Sequence, residues 1–183
     1  DRDGRSFSAR RVLAEQHGEV IFSMLASFAA PASPRRPFPD EDADPVPDRP
    51  PVDSLAPWGF HMHPSFEFRP ASLSGRLPTR FWLKCTDDLP DDPLLHAAVL
   101  AYTSDISSGL IALEGGEGHG GPSLDHAVWF HRPANMRDWH WQEHVPRTVA
   151  AGRGWYTVGI YAPDGTRVAT VAQEQLFAAR RPR

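Results

Sequence analysis

Apolar and polar residues alternate along two stretches near the start of the chain. In Glu19–Ala29, one set of alternate positions is strongly apolar, which is the pattern of a β-strand with one buried face. Ser6–Gln16 precedes it and is separated from it only by His17-Gly18. The pattern therefore predicts a β-hairpin closed by a short turn.

The stretch Asp91–Leu113 is apolar at nearly every position up to Thr103. A helix that is apolar on nearly every side is normally buried rather than laid on a surface. Asp91 or Asp92 can cap its first amide groups, and the proline that follows them is tolerated in a first helical turn. The pattern predicts one buried helix over Asp91–Leu113, around which the rest of the chain is organised.

One charged residue, Asp105, lies on this predicted helix. It would share a helical face with Tyr102 and Gly109, from which it is spaced by three and four residues. A carboxylate inside an apolar helix is costly unless it is paired or takes part in chemistry. Asp105 is therefore a candidate functional residue.

Strand-like runs flank the predicted helix. Two precede it and four follow it: Phe66–Pro70, Arg80–Thr86, Ser123–His131, Trp139–Val149, Trp155–Tyr161 and Arg167–Phe177. The last two are joined by Pro163-Asp164-Gly165, which favours a tight turn. Because an antiparallel sheet wrapped around one apolar helix is an α+β layer arrangement, we predict the fold class α+β.

Two stretches are rich in residues that interrupt helices and strands. Pro31–Pro57 holds nine of the nineteen prolines of the chain, interleaved with acidic residues, and predicts an extended linker. Glu114–Pro122, EGGEGHGGP, lacks the lysine and the strand-to-helix setting of a phosphate-binding loop. We therefore predict that it is a flexible loop.

The two ends of the chain are weakly similar. When the turn His17-Gly18 is aligned with Asp164-Gly165, the strands that follow show related patterns, although Ala26 then corresponds to the polar Gln173. This suggests two copies of one fold, of which we expect the first to be truncated, because the chain opens directly with a strand-like run. The predicted domains are a hairpin of the truncated first copy over 1–30, a linker over 31–57 and a complete second copy over 58–183.

Composition excludes several classes of protein. The chain has 183 residues, a net charge of −4 and a pI near 6.1, which gives no electrostatic basis for binding nucleic acid. Its one cysteine, Cys85, excludes an intrachain disulfide framework and a cysteine-based zinc site. Low cysteine content favours a reducing compartment, so we predict a cytoplasmic protein. No apolar run approaches the length of a membrane span.

Five motifs carry a family resemblance. They are RDGRSFSARRV, EVIFSMLASF, LPDDPLLHAAVLAYTSD, SLDHAVWFHRP and DGTRVATVAQE, at residues 2–12, 19–28, 89–105, 123–133 and 164–174. With them the chain resembles the acyl-CoA thioesterase II family (TesB type). The resemblance implies a double hotdog fold, in which each copy is a curled antiparallel sheet around a central helix, and it implies hydrolysis of acyl-CoA to free fatty acid and CoA.

The resemblance also implies a site in which three side chains hold a hydrolytic water. They correspond to Asp105, Ser123 and Gln173 of this chain. Asp105 can accept the proton of the water as general base, while Ser123 and Gln173 would orient it. Backbone amides or Gln173 itself would stabilise the oxyanion. We expect no cofactor and no metal ion.

Each of these residues also has a simpler interpretation. Asp105 could cap a loop or pair with an arginine, Ser123 could be an ordinary hydroxyl at a strand edge, and Gln173 could make a structural hydrogen bond. The chain as a whole could be a hotdog module that binds acyl-CoA or only assembles, without catalysis. A hotdog hydratase is disfavoured, because the start of the predicted helix lacks the Asp/His pair of such enzymes.

The run SLDH also suggests a Ser-His-Asp arrangement of Ser123, His126 and Asp125. On a continuous strand Ser123 and His126 would point to opposite faces, so they could not readily meet. We therefore assign structural or interface roles to four residues of this region: Asp125, His126, His131 and Arg132. Because hotdog domains pair through their sheets, the resemblance further implies a homo-oligomer.

Overall fold

The computed structural model describes residues 1–29, 41–59, 64–74, 77–113 and 118–179. The chain divides into two compact units, Asp1–Ala43 and Asp44–Arg183. This boundary falls inside the predicted linker, whose residues 31–40 lie outside the described part of the chain.

The first unit is a three-stranded antiparallel sheet in its described residues. Its strands are β1 (Arg2–Asp3), β2 (Phe7–Gln16) and β3 (Glu19–Ala29), in that order. His17 and Gly18 connect β2 to β3 with φ values of 51° and 83°. Two positive φ values in a two-residue turn match the right-handed twist of the paired strands. The predicted hairpin is thus confirmed.

The apolar face of this hairpin is exposed in the chain. Phe22 and Met24 are 51% and 42% exposed, and Leu25, on the other face, is 81% exposed. The described part of this unit consists of the three strands alone, so it contains no second layer to cover either face. Strand formation is local, whereas burial of a strand face requires a partner layer.

The second unit contains one α-helix and seven strands among its described residues. They are β4 (Phe66–Ser74), β5 (Leu77–Cys85), α1 (Pro93–Thr103), β6 (Gly118–Ser123), β7 (Ala127–Phe130), β8 (His140–Ala150), β9 (Arg153–Tyr161) and β10 (Arg167–Ala179), with 3₁₀ turns at Val52–Ser54 and Gly109–Leu113. The strand order is β4-β5-β8-β9-β10-β6, β7 also pairs with β10, and these pairs are antiparallel. This confirms the predicted α+β arrangement of one helix and an antiparallel sheet.

The central hairpins of the sheet follow from local turn chemistry. Ala151 and Gly152 connect β8 to β9 with φ values of 50° and 75°, as in the first unit. Between β9 and β10, Gly165 has a φ of 97°, and the Asp164 carboxylate accepts the Thr166 amide hydrogen at 2.8 Å. The predicted turn over Pro163-Asp164-Gly165 is therefore confirmed.

Helix α1 and one face of the sheet share a hydrophobic core. Leu100 of α1 is 1% exposed and belongs to the same cluster as Phe81 of β5 and Val158 of β9. The helix begins as predicted, because the Asp92 carboxylate accepts the Leu94 amide hydrogen at 2.9 Å. However, only one side of the helix is buried, since the side chain of Leu94 points into solvent.

The helix is shorter than predicted, because it ends at Thr103 rather than continuing to Leu113. Hydroxyl groups satisfy the carbonyls at its end: Thr103 Oγ1 donates to Leu100 O at 3.0 Å and Ser104 Oγ to Ala101 O at 2.7 Å. Such local bonds compete with helical continuation. Gly109 then starts a separate 3₁₀ turn. Asp105 consequently lies in a turn after the helix.

Two strand predictions also change. The predicted loop Glu114–Pro122 is partly strand, because β6 already begins at Gly118; residues 114–117 lie outside the described residues. The predicted strand Ser123–His131 is two strands, β6 and β7, separated by residues 124–126. Since the intervening residues are not in a strand, the alternation of faces predicted across this stretch does not hold.

The second half of the predicted linker is packed against the sheet. Trp82 of β5 donates its indole N–H to Pro50 O at 2.9 Å, and Arg80 binds Asp48 O. Trp82 packs with Trp141 in a cluster separate from the main core. Because Phe81 and Leu83, its neighbours on β5, belong to the main core, Trp82 points to the other face of the sheet. This segment is therefore a covering layer of the second unit rather than a free spacer.

Candidate active site

Asp105 lies in the turn that follows α1. Its side chain is 55% exposed, and its Oδ1 atom lies 3.9 Å from Nδ1 of His126. Among the described residues, no arginine or lysine lies within ion-pairing distance of this carboxylate. Pairing with an arginine, the simpler interpretation of this residue, therefore finds no support in the described part of the chain.

Gln173 and Ser123 meet because β10 pairs with β6. Gln173 lies on the face of β10 that is turned to the core and is 2% exposed. Ser123 is the last residue of β6, and its backbone neighbour on β10 is Gln175. Nε2 of Gln173 donates a hydrogen bond of 2.6 Å to Oγ of Ser123. A buried amide is thus fixed against a hydroxyl at the end of a strand.

A further side chain, His126, joins this group. Its Nδ1 atom is in close hydrogen-bonding contact with Oε1 of Gln173, and its Nε2 atom lies 2.8 Å from Oγ of Ser104. From the sequence we predicted a structural or interface role for His126, because strand alternation was applied to an unbroken strand. Since β6 ends at Ser123 and β7 starts at Ala127, His126 lies off the strand and can turn inward.

The Ser-His-Asp arrangement considered from sequence is not what the structure contains. Ser123 and His126 contact opposite ends of the Gln173 amide rather than each other. The Asp125 carboxylate accepts the backbone amide hydrogen of Glu174 at 2.8 Å. Gln173, rather than a histidine, is therefore the hydrogen-bond partner of the serine.

Asp105, Ser123 and Gln173 border one cavity of about 130 Å³. At roughly 30 Å³ per water molecule in the liquid, this volume corresponds to about four waters. Its walls also carry hydroxyl and amide groups from Ser107, Ser108 and Gln175. The cavity can therefore hold an ordered water together with a small polar reacting group.

The polar wall beside Gln173 is fixed by hydrogen bonds. Ser108 Oγ donates to Oε1 of Gln175 at 2.7 Å. Ser108 Oγ also accepts the Leu110 amide hydrogen at 3.1 Å. Gln175 is 5% exposed. Because residues two apart on a strand share a face, two glutamine side chains of β10 point towards the same cavity.

Two buried titratable groups lie at or near the cavity: Tyr156, which lines it, and His144, whose ring neighbours that of Tyr156. Burial and the nearby Asp105 charge raise the pKa of Tyr156 above its usual value, against a smaller lowering by a Ser108 hydrogen bond. Burial, with a smaller contribution from His126, lowers the pKa of His144 to about 3. Near neutral pH, Tyr156 therefore keeps its proton and His144 is uncharged.

A larger open depression of about 600 Å³ lies elsewhere on the second unit. It is lined mainly by the proline-rich segment 46–52 together with Trp82 and Pro163. Its lining has one carboxylate, Asp48, and one arginine, Arg49, but no histidine, serine or glutamine. Although this depression is larger, its lining lacks the groups that would hold a hydrolytic water. We therefore place the candidate site at the smaller cavity.

The described residues offer neither a metal cluster nor a membrane-spanning helix. Within 1–29, 41–59, 64–74, 77–113 and 118–179, no group of three or more His, Cys, Asp or Glu side chains is arranged to hold a metal ion. Across the same ranges, no helix has both the length and the apolar character that crossing a membrane requires.

Solved structures place the fold in a known class. A protein from Alicyclobacillus acidocaldarius with a hot dog fold is 18% identical and superposes with a TM-score of 0.78, covering 98% of this chain and 70% of that one. The acyl-CoA thioesterase II TesB2 from Mycobacterium marinum is 34% identical, with a TM-score of 0.79, and covers 98% of this chain and 71% of that one. The architecture is therefore that of hotdog proteins.

Sequence comparisons narrow this class to one family. The family model of the acyl-CoA thioesterase C-terminal domain matches residues 33–177. Acyl-CoA thioesterase 2 from Haemophilus influenzae is 30% identical over 96% of this chain, which spans 70% of that protein. The chain therefore belongs to the acyl-CoA thioesterase family, whose members are thioester hydrolases. The family predicted from the sequence motifs is confirmed.

Proposed function

We propose that this chain hydrolyses acyl-CoA to a free acid and CoA, with a water held by Asp105, Ser123 and Gln173 as the nucleophile. The reaction class follows from the family. One observation supports the assignment to these residues: side chains from three separate segments, the turn after α1, β6 and β10, border the same cavity. A carboxylate, a hydroxyl and an amide together supply the base and the hydrogen bonds that the reaction needs.

In the proposed reaction Asp105 accepts a proton from the water as its oxygen attacks the thioester carbonyl carbon. The carbonyl oxygen gains negative charge in the tetrahedral intermediate, which a hydrogen-bond donor must stabilise. Collapse of this intermediate breaks the carbon–sulfur bond. The leaving sulfur takes up the proton, so the products are a carboxylic acid and the CoA thiol.

A direct water attack fits the surroundings of Ser123 better than an acyl-serine intermediate. A nucleophilic serine needs a base within hydrogen-bonding distance. Among the described residues, the only side chain hydrogen-bonded to the Ser123 hydroxyl is Gln173, which is not a base. We therefore give Ser123 a role in orienting the water.

Thiol release by Asp105→Asn, compared with the parent chain, tests the proposal. We expect kcat for a short-chain acyl-CoA to fall by about 10²–10⁴-fold, the usual contribution of a general base. Asp87→Asn is a matched control, because Asp87 is an exposed carboxylate outside the cavity. Equal turnover by the parent and by folded Asp105→Asn would refute the role of Asp105.

A second candidate function is binding of acyl-CoA without hydrolysis. It is favoured by the exposure of Asp105, since a general base in a working site is normally enclosed with its substrate. This alternative predicts saturable binding of acyl-CoA by folded protein with no release of thiol. The same assay therefore distinguishes the two functions when it is paired with a binding measurement.

We also propose self-association and a cytoplasmic location. Hotdog sheets pair with one another, which supports a homo-oligomer, and light scattering after size-exclusion chromatography would measure its mass. The one cysteine, Cys85, is a buried free thiol, which is consistent with a reducing compartment. Imaging of a fluorescently tagged form of the protein in its own cells would test the location.

A further inference from the structure

We propose that His126 is a positioning residue whose protonation state sets the orientation of the Gln173 amide and, through it, the direction of the hydrogen bond at Ser123. The inference rests on the proposed function, in which Ser123 and Gln173 orient the hydrolytic water. It starts from a chain of contacts that runs from Ser104 through His126 and Gln173 to Ser123.

Ser104 fixes the hydrogen on one side of the ring. Its hydroxyl donates to Ala101 O at 2.7 Å. The Asp105 amide, which could have reached this carbonyl at the helix end, donates to Tyr102 O instead. Since a serine has a single hydroxyl proton, the bond to Ala101 leaves Oγ only as an acceptor towards the ring. Nε2 of His126 must therefore carry a hydrogen.

The other ring nitrogen faces two oxygen atoms among the described residues. Nδ1 contacts Oε1 of Gln173 and lies 3.9 Å from the Asp105 carboxylate. An amide oxygen cannot donate a hydrogen bond, so this geometry requires a hydrogen on Nδ1 as well. With Gln173 Nε2 donating to Ser123 Oγ, these contacts are the ones that a doubly protonated, positively charged His126 would make.

Loss of the Nδ1 proton makes this arrangement unfavourable, because two acceptors would then face each other. A half-turn of the Gln173 amide removes the conflict. Its NH₂ group then donates to Nδ1, and its oxygen accepts the hydroxyl hydrogen of Ser123. A single proton on His126 therefore reverses the direction of both hydrogen bonds without moving a heavy atom of Ser123.

The reversal changes what Ser123 offers to the water. With neutral His126 the hydroxyl hydrogen is engaged by Gln173, so Ser123 acts towards the water only as an acceptor. A water that donates one hydrogen to Ser123 and the other to Asp105 directs a lone pair at the thioester carbon. The neutral state of His126 is therefore the one that orients the nucleophile.

Other titratable side chains lie around His126. Asp105 faces it from the turn after α1. His144 of β8 interacts with it electrostatically, and Tyr156 of β9 interacts with the neighbouring Asp105. Burial lowers the pKa of His144 to about 3 and raises the pKa of Tyr156, so neither changes charge between pH 5 and 8. On β10, the backbone of Glu174 is held by the carboxylate of Asp125.

Nuclear magnetic resonance of the ¹⁵N-labelled chain tests the coupling independently of catalysis. The side-chain NH₂ signal of Gln173, assigned by its loss in Gln173→Glu, should shift with pH at the same midpoint as the ring nitrogens of His126. The shift should disappear in His126→Phe. It should persist in His131→Phe, a matched control, because His131 bonds to Thr170 on the other face of β10.

A Gln173 signal that does not respond to pH, or that responds equally in His126→Phe, would overturn the proposal. Ser104→Ala gives a second test that keeps the imidazole ring. It removes the acceptor of the Nε2 hydrogen, which disfavours the charged ring. Both midpoints should then move together to lower pH, and a change in only one of them would contradict the coupling.

Steady-state kinetics supply the functional readout. In His126→Phe we expect kcat to fall about tenfold, roughly the effect of one misplaced hydrogen bond, with KM unchanged because the water and not the substrate is affected. The acid limb of the kcat–pH profile should also become shallower by one proton. A change confined to KM would refute the positioning role. Absence of turnover in the parent would refute the proposed function but not the amide coupling.

Discussion

Acidification is expected to destabilise the second unit through His144. Its ring lies between Phe81 and Tyr156, with centroids 5.5 and 6.2 Å away. Among the described residues, its Nδ1 atom has no hydrogen-bond partner. Gln142 Oε1 lies 3.2 Å from Nε2. Such a site accommodates a neutral ring far better than a charged one. Folding therefore opposes protonation of this histidine.

The direction and size of the effect follow from linkage. The pKa of His144 is about 3 in the folded chain against an ordinary value of 6.5, so between these values the unfolded state binds more protons. Stability is then lost as pH falls below about 6.5, by up to about 1.4 kcal/mol per pH unit. Between pH 7 and pH 5 the contribution of His144 amounts to about 2 kcal/mol.

Urea unfolding followed by tryptophan fluorescence measures this in the second unit specifically. All six tryptophans of the chain lie after the boundary at Asp44: Trp58, Trp82, Trp129, Trp139, Trp141 and Trp155. The variant His144→Phe keeps an aromatic ring in the stack but cannot be protonated. Between pH 7 and pH 5, the free energy of unfolding of the parent should fall by about 2 kcal/mol more than that of the variant. Equal losses in the two proteins would refute the reasoning.

Two packing predictions can be checked by the same unfolding assay. Leu100→Ala should lower the free energy of unfolding by about 2–5 kcal/mol, because Leu100 is buried in the main core. Leu94→Ala, on the exposed side of α1, is the control and should change it by less than about 0.5 kcal/mol. Gly109→Ala should cost about 1–3 kcal/mol, because its methyl group would lie 2.7 Å from Cβ of Tyr156; unaltered stability would contradict the close packing seen there.

Local sequence features predicted the parts of the fold that depend on neighbouring residues. The turns at His17-Gly18 and Pro163-Asp164-Gly165 form where the residue types predicted them, because φ values above zero and side-chain bonds to nearby amides are set within a few residues. The start of α1 at its Asp92 cap is another such feature. Its end was missed, since hydroxyl groups that bond to the backbone can stop a helix that remains apolar in pattern.

The candidate site was predicted only in part. Family motifs pointed to Asp105, Ser123 and Gln173, and the structure places these side chains around one cavity. His126 was set aside by a rule of alternation that assumes an unbroken strand. The chain is not one strand there, because β6 ends before β7 begins. No local pattern in the sequence predicted this break.

The sequence by itself determined the family, the class of fold and most of the strands, because periodicity, turn residues and motifs are properties of short segments. Only the tertiary structure decided which long-range partners meet. It placed Gln173 against Ser123 and His126 across about fifty residues of chain, and it packed the proline-rich segment on Trp82. Such contacts depend on strand pairing and layer packing, which bring together residues that no local pattern connects.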